Sequence, residues 1–152
     1  MKLQKILGPT VFWLSYPLAF VYLRIGVRSR VLIVVDDCAL LLKGRFGLGE
    51  WALPGGGIHR GEEPVAGAQR EVAEETGIRL AREDLQFMYR GKAHIKGLSF
   101  KYVCYYAQLS QRPAVRKRLS EIAVAEWVPL KEVNLSNATQ NTLQAVQAWL
   151  QR

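Results

Sequence analysis

The chain has 152 residues, with 21 Lys plus Arg against 13 Asp plus Glu, for a formal net charge of +8. At 49 % hydrophobic and 22 % charged it holds enough apolar material for one packed domain and is too apolar for a disordered chain. Its two cysteines, Cys38 and Cys104, exclude a disulfide-rich scaffold and a four-cysteine zinc site, and read as two reduced thiols inside strands rather than as one bridge.

The charge is uneven. Lys2, Lys5, Arg24, Arg28 and Arg30 fall in the first 30 residues, which contain no acid; the other 16 bases are nearly balanced by all 13 acids. Between these bases, Ile6 to Leu23 form an 18-residue run without a charge. That length is the lower bound for a membrane-spanning helix, but Gly8, Pro9, Thr10, Ser15 and Pro17 interrupt it, and Pro17 would kink a helix. Lys2 and Lys5 before an apolar run also resemble the start of a signal peptide, yet no small-residue cleavage site follows. Phe12, Trp13, Tyr16, Phe20 and Tyr22 suit a membrane interface, a protein contact, or packing on the chain's own domain. These readings stay open, and residues 1–28 are set apart from a domain over 29–152.

In that domain Val31–Asp37 reads as a buried strand, Ala39–Lys43 as its partner across a turn near Asp36-Asp37, and Gly44–Glu50 as a glycine-rich loop. Trp51-Ala52-Leu53 is a short strand stopped by Pro54, and Gly55, Gly56 and Gly57 ask for backbone freedom. A helix is expected over Pro64 to Thr76, with Glu62 and Glu63 at its positive end and Gly77 just past its last turn. Leu85–Tyr89 and Leu98–Leu109 are strands, the second placing Leu98, Phe100, Tyr102, Cys104 and Tyr106 on one face. His94 falls in the turn between them. Ile122–Val128 is a further strand. Ala138–Leu150 is a closing helix with an apolar stripe of Leu143, Val146, Trp149 and Leu150, capped by Ser136 or Asn137. Strands, a helix, more strands and a last helix make an α+β or α/β/α sandwich pattern, not a regular βαβ alternation.

Chemistry concentrates between Gly56 and Ile78. Glu71, Glu74 and Glu75 stand at i, i+3 and i+4, so a helix places three carboxylates on one face. Like charges so close repel, and a hard divalent cation removes that penalty while bridging carboxylates to phosphates. A glycine loop before the helix lets a ligand approach the backbone. These features describe a metal-bound diphosphate site.

Taken together, Gly56, Glu62, Arg70, Glu71, Val72, Glu74, Glu75, Gly77 and Ile78 fill every defined position of G-x5-E-x7-R-E-U-x-E-E-x-G-U, where U is apolar. The segment thus resembles the Nudix box, and the flanking Trp51-Ala52-Leu53-Pro54-Gly55-Gly56 and Glu126-Trp127-Val128-Pro129-Leu130 are similar to the family as well. The resemblance covers about Arg30 to Leu150 and leaves out the N-terminal segment. It implies an α+β fold of the Nudix type, an α/β/α sandwich on a mixed sheet. It also implies hydrolysis of a nucleoside diphosphate linked to another group with Mg²⁺ or Mn²⁺. Carried over by position, Glu71, Glu74 and Glu75 bind metal, with Gly56 as a further ligand, and Glu71 or a neighbouring carboxylate polarises the attacking water. Arg70 holds a box carboxylate in place, and Glu62 supports the loop–helix junction. Many members use an acid outside the box; Glu121 is the choice here and Glu126 the alternative.

Substrate contacts are expected from Gly56, Gly57, Arg45 and Arg116, the last in a basic loop (Arg112, Arg116, Lys117, Arg118) that is otherwise a solvated surface. His59 is given no role. Tyr102, Tyr105 and Tyr106 could stack on a base, with core packing the default. The resemblance implies a small-molecule nucleotide diphosphate substrate, left open among nucleoside triphosphates, nucleotide sugars and other nucleoside diphosphate derivatives. A catalytically silent nucleotide-binding or regulatory module is the alternative, and an RNA 5′-end pyrophosphohydrolase or nucleic-acid binder a further one. Five of the eight net charges flank the N-terminal run, so nucleic acid is not the expected partner. A homodimer stays open. The expected location is the cytoplasm, with attachment to a membrane surface through residues 6–23 as one reading.

Overall fold

The computed structural model describes residues 26–45, 49–95, 98–133 and 138–151. The run 6–23 and the two cap candidates Ser136 and Asn137 lie outside these residues.

Strand β1 (Val27–Val35) turns back into β2 (Cys38–Gly44) through Asp36-Asp37. Asp36 sits at φ 51, the left-handed region that Asp tolerates better than a branched residue. β1 thus begins four residues before the apolar run and ends before the acids. Polar Arg28, Ser29 and Arg30 join it because partners lie on both sides. β4 pairs with it in parallel from Val27↔Lys101 to Val34↔Gln108. On the other side, Ser29 N–H donates to the Gly56 carbonyl at 2.8 Å, Val31 N–H to Pro54 at 2.9 Å, and Ile58 N–H to Val27 at 3.0 Å. Trp51-Ala52-Leu53 is not a strand. It makes single bridges only, Ala52 to Leu42 and Trp51 to Ala138.

β3 (Gln86–Ile95) and β4 (Leu98–Gln108) form a long hairpin, and β5 (Ile122–Pro129) closes the far edge. β3 runs six residues beyond Tyr89 although Arg90-Gly91-Lys92 breaks the apolar pattern, because every residue from Tyr89 to Ile95 has a partner on β4. His94 is therefore an exposed strand residue opposite Ser99, not a turn residue. The sheet order is β3-β4-β1-β2-β5, mixed because β1 and β4 are parallel while the other pairs are antiparallel.

Alternation along β1 feeds two cores. Val31 and Ile33 face helix α1 (Pro64–Thr76) and pack with Leu40, Ala68, Val72, Val103 and Tyr105. Leu32 and Val34 face helix α2 (Gln140–Leu150) and pack with Leu41, Phe100, Tyr102, Cys104, Ala145 and Val146. The result is an α/β/α sandwich. Tyr102 and Tyr105 are buried in these cores, and half-buried Tyr106 lies 5.1 Å from the Trp149 ring. Both cysteines are free thiols.

Helix α2 differs from expectation at its start and on its face. Thr139, at φ −64 and ψ 151, occupies the N-cap position. The buried side is Asn141, Thr142, Ala145 and Val146, whereas Leu150 is 56 % exposed and Leu143 half-buried. Polar Thr142 lies inside because its Oγ1 accepts the Leu53 N–H at 3.2 Å, a backbone donor that no ladder satisfies.

Candidate active site

The segment Pro54–Gly57 is strapped along β1 and aimed at helix α1. At Gly55 the backbone sits at φ 136, and a Cβ there would lie 2.9 Å from the Ser29 carbonyl carbon. At Gly56 a Cβ would lie 2.5 Å from Glu71 Cδ. The first glycine is demanded by backbone shape and the second by the close approach of a carboxylate.

Helix α1 matches its expected bounds. Pro64 opens it, and Gly77 ends it at φ 74 with its N–H on the Ala73 carbonyl at 2.9 Å. The acids before it do not charge its first turn. Exposed Glu63 pairs with Arg82 at 2.6 Å, and Glu62 turns to Arg70. The Glu62 carboxylate accepts Arg70 Nε at 2.9 Å and Nη2 at 3.0 Å, a two-pronged fit, and also the His59 N–H at 2.8 Å. These bonds hold the Glu62 carboxyl down at about 2 and push the Arg70 guanidinium above its ordinary range. Arg70 also donates to Glu71 Oε1 and to the Gly57 carbonyl, each at 2.8 Å, and lies 3.6 Å from Glu74 Oε1. One guanidinium thus ties the glycine strap, the pre-helix loop and the helix together.

Glu75, like Glu71, is half-buried, whereas Glu74 is exposed. Glu75 Oε2 accepts the Gly55 N–H at 2.8 Å. Burial pushes its carboxyl up to about 7, against the Gly55 amide and the Arg30 charge, and the nearby charges of Glu71 and Glu121 add to the rise. Arg30, on β1, donates to the carbonyls of Ser29 and Gly55. Burial, with Arg28 next, lowers its guanidinium to about 10.

Glu74 is exposed and meets Arg118 Nη1 at 3.2 Å; the same nitrogen lies 3.5 Å from Glu121 Oε1. The loop carrying Arg118 is docked through its backbone. Arg116 N–H donates to the Thr76 carbonyl at 2.7 Å and Arg118 N–H to the Glu75 carbonyl at 3.0 Å, which satisfies the end of α1.

The fold therefore gathers Gly56, Glu71, Glu74, Glu75 and Glu121 with Arg70. Arg45 and Arg116 make contacts within the fold. Arg45 donates its N–H to the Glu121 carbonyl at 2.7 Å and its Nε to Leu119 at 2.9 Å, so it holds the Glu121 loop. Arg116 abuts Gly77 through its Cβ and backbone. Glu126 is exposed on β5, opposite Leu41. Two residues escaped sequence reading. Arg30 carried a signal, a charge entering an apolar strand. Arg118 lay in the basic loop but was not distinguished there from Arg116.

The donor set suits a hard divalent cation. Carboxylates and a glycine carbonyl are all oxygen ligands, and the missing Cβ at Gly56 lets the Glu71 carboxylate lie against the strap, where a side chain would collide with it. In this arrangement the carboxylates are engaged by Arg70, Arg118 and the Gly55 amide. No group of three or more acids, histidines or cysteines converges as a ligand set among the described residues.

Comparison with known proteins agrees with this geometry. The NUDIX domain family model matches residues 26–149. A MutT-like protein of Streptomyces ambofaciens is 32 % identical over 102 residues, 67 % of this chain and 62 % of that protein. Nudix hydrolase 2 of Arabidopsis thaliana is 36 % identical over 110 residues, 71 % of this chain and 37 % of that protein. The chain thus spans less than two thirds of either relative. Among solved structures, the MutT NUDIX hydrolase from Burkholderia pseudomallei superposes with a TM-score of 0.71 at 26 % identity, covering 81 % of this chain and 96 % of that one. A box filled at every position, a helix that sets its glutamates against a glycine strap, and a family model spanning nearly the whole described body agree: this chain belongs to the Nudix family.

Proposed function

We propose that the chain is a divalent-metal-dependent hydrolase that cleaves the diphosphate linkage of a nucleoside diphosphate joined to another group. The observation that carries this reading is the packing of Gly55 and Gly56 against Glu75 and Glu71, with Glu74 and Glu121 sharing Arg118 beside them. Glu71, Glu74, Glu75 and Glu121, with the Gly56 carbonyl, would hold Mg²⁺ or Mn²⁺. When bound, that ion neutralises phosphate charge and lowers the pKa of water.

The chain's own residues do the positioning. Arg70 fixes Glu71 Oε1, while Glu71 Oε2 stays beside Gly56, where it can orient the attacking water. Arg30 places a positive charge behind Glu75 and Glu71 and ties Gly55 to β1. The docking of residues 116–118 on the end of α1 keeps Glu121 near Glu75. Arg118 is the cation in this group placed to meet substrate phosphates once the carboxylates turn to metal.

The test is a hydrolysis screen with Mg²⁺ over nucleoside triphosphates, nucleotide sugars, other nucleoside diphosphate derivatives and capped RNA ends, with both products identified. Glu74→Gln and Glu75→Gln are each expected to lower turnover by at least about a hundredfold in a protein that still folds. A folded double variant with near-normal turnover would remove the metal assignment. Tight nucleotide binding without turnover of any panel member would show a binding module instead.

A further inference from the structure

Two hollows border the first turn of α1, on the face of the sheet that this helix covers. The larger, about 810 Å³, has apolar walls of Val27, Ile58, Pro64 and Val103, and Arg90, Lys92 and Lys101 line it as cations. Its volume suits a small molecule. The smaller, about 410 Å³, shares Pro64 and Arg90 with the first and adds Phe87 and Tyr105. Among the described residues, none of Glu71, Glu74, Glu75 and Glu121 lines either hollow. Glu74 stands ten residues after Pro64, about 15 Å along the helix.

Strand register makes one groove of the two. Val103 and Tyr105 pack toward α1, and Lys101 shares their face by the period of two. Lys92 stands opposite Lys101, Arg90 opposite Val103 and Phe87 opposite Tyr105. The register shift between Phe87 and Tyr89 puts Phe87 on the same face as Arg90 despite the odd spacing.

The cations are arranged at a cost, because like charges directly opposite destabilise a ladder. Arg90, Lys92 and Lys101 are exposed, and none has an ion-pair partner among the described residues. Glu62 and Glu63 border the groove, but Glu62 is engaged by Arg70 and the His59 N–H, and Glu63 by Arg82. The positive charge is left for an anion. At the other end the Phe87 ring is 57 % exposed and meets Tyr105 in an edge contact, at 6.3 Å and 78°, which leaves a ring face open. Such a face stacks a nucleobase. From Tyr105 to Lys101 is four residues of strand, about 14 Å, room for a base, a ribose and a short phosphate chain. A free phosphate or a lipid headgroup would use the cations and leave Phe87 idle.

We propose that this groove is a second nucleotide site, separate from the metal centre. The base of a nucleoside polyphosphate stacks on Phe87, Arg90 meets the phosphate nearest the ribose, and Lys92 and Lys101 bind the outer phosphates. The site does not depend on the hydrolase reading, because its occupation needs neither metal nor turnover.

The full chain is to be titrated calorimetrically with ATP in EDTA. Without a divalent ion the box carboxylates repel a polyphosphate, so the binding that persists belongs to the groove. The wild type is expected to take up one ATP, with an affinity that falls as salt rises. Lys92→Glu and Lys101→Glu each turn a like-charged cross-strand pair into an opposite one, so the hairpin is not weakened. Each removes two units of charge and is expected to weaken ATP binding by at least about tenfold. Phe87→Ala is expected to weaken ATP binding by at least about fivefold while leaving inorganic tripolyphosphate binding unchanged. Glu74→Gln is expected to bind ATP in EDTA as the wild type does; loss of binding there would put the nucleotide at the metal centre and overturn the proposal. No uptake of ATP in EDTA overturns it as well, as does wild-type affinity in either lysine variant or in Phe87→Ala, or a Phe87→Ala loss that tripolyphosphate shares. So does a single-stranded oligonucleotide that binds tighter than ATP and is lost in Lys92→Glu, which would assign the groove to nucleic acid.

Discussion

Neighbouring glycines respond differently to the same change. A Cβ at Gly55 meets fixed backbone at Ser29 and forces an L-residue to φ 136, so Gly55→Ala is expected to cost about 3 kcal/mol of stability. A Cβ at Gly56 meets the tip of the Glu71 side chain, which can swing aside. Gly56→Ala is therefore expected to keep most of the melting temperature and lose turnover. Thermal melts paired with initial rates separate the two, and a Gly56→Ala protein with full activity would show that the strap does not set Glu71. Glu62 offers a pH test at the same scale. Arg70 holds its carboxyl at about 2 in the folded chain, against about 4.3 when unfolded. A depressed carboxylate contributes stability that is fully present above the unfolded value and is lost as pH falls toward the folded one. Glu62→Gln is thus expected to cost about 1–3 kcal/mol at pH 7 and progressively less below pH 4. Urea unfolding at both ends of that range checks it.

At the scale of elements, helix α2 shows how a backbone need overrides an apolar stripe. Leu143 and Leu150 are the larger apolar residues, yet Thr142 is fully buried and Leu150 exposed. The segment Trp51–Leu53 bridges Leu42 without forming a strand, and the Leu53 N–H reaches across to Thr142 Oγ1. Thr142→Val keeps the shape and removes the acceptor, so it is expected to destabilise the fold by about 1–3 kcal/mol through an unsatisfied buried amide. Equal stability of the variant in urea would mean that the Leu53 N–H finds another partner. The loop before β5 is a similar case. Its Arg116 and Arg118 amides close the end of α1, which is why a basic surface loop carries Glu121 to the site.

Across the whole molecule, the sandwich separates two environments for its thiols. Cys104 lies in the α2-side core, where burial pushes its thiol up to about 12, whereas Cys38 is half-buried at the start of β2. A disulfide reagent is expected to modify Cys38 alone in the native protein and both residues in denaturant. Rapid native reaction at both would contradict the burial of Cys104. The sheet also segregates charge. The glutamates lie by the glycine strap and the 116–121 loop, while Arg90, Lys92 and Lys101 line the β3–β4 side, so one small domain presents an acidic site and a basic face.

Local features that answer to local physics were legible in the residues. The bounds of α1 follow from Pro64 and Gly77, the buried alternation of β4 from its period of two, and the box from fixed spacing on one helix. Lengths and roles that depend on a distant partner were not. β1 extends through Arg28, Ser29 and Arg30 because β4 and the strap pair with it, and β3 extends through Arg90 and Lys92 because β4 does. Arg30 and Arg118 join the candidate site because the fold brings carboxylates to them, and Arg45 takes a further role by bonding to the Glu121 loop. By itself the sequence determined the family, the helix that bears the glutamates and their common face, since each depends on contacts within one turn or one motif. The tertiary structure decided which charges those glutamates meet and which side of α2 is buried. Each of those depends on residues far apart in the chain, and the order of strands in a sheet is what brings such residues together.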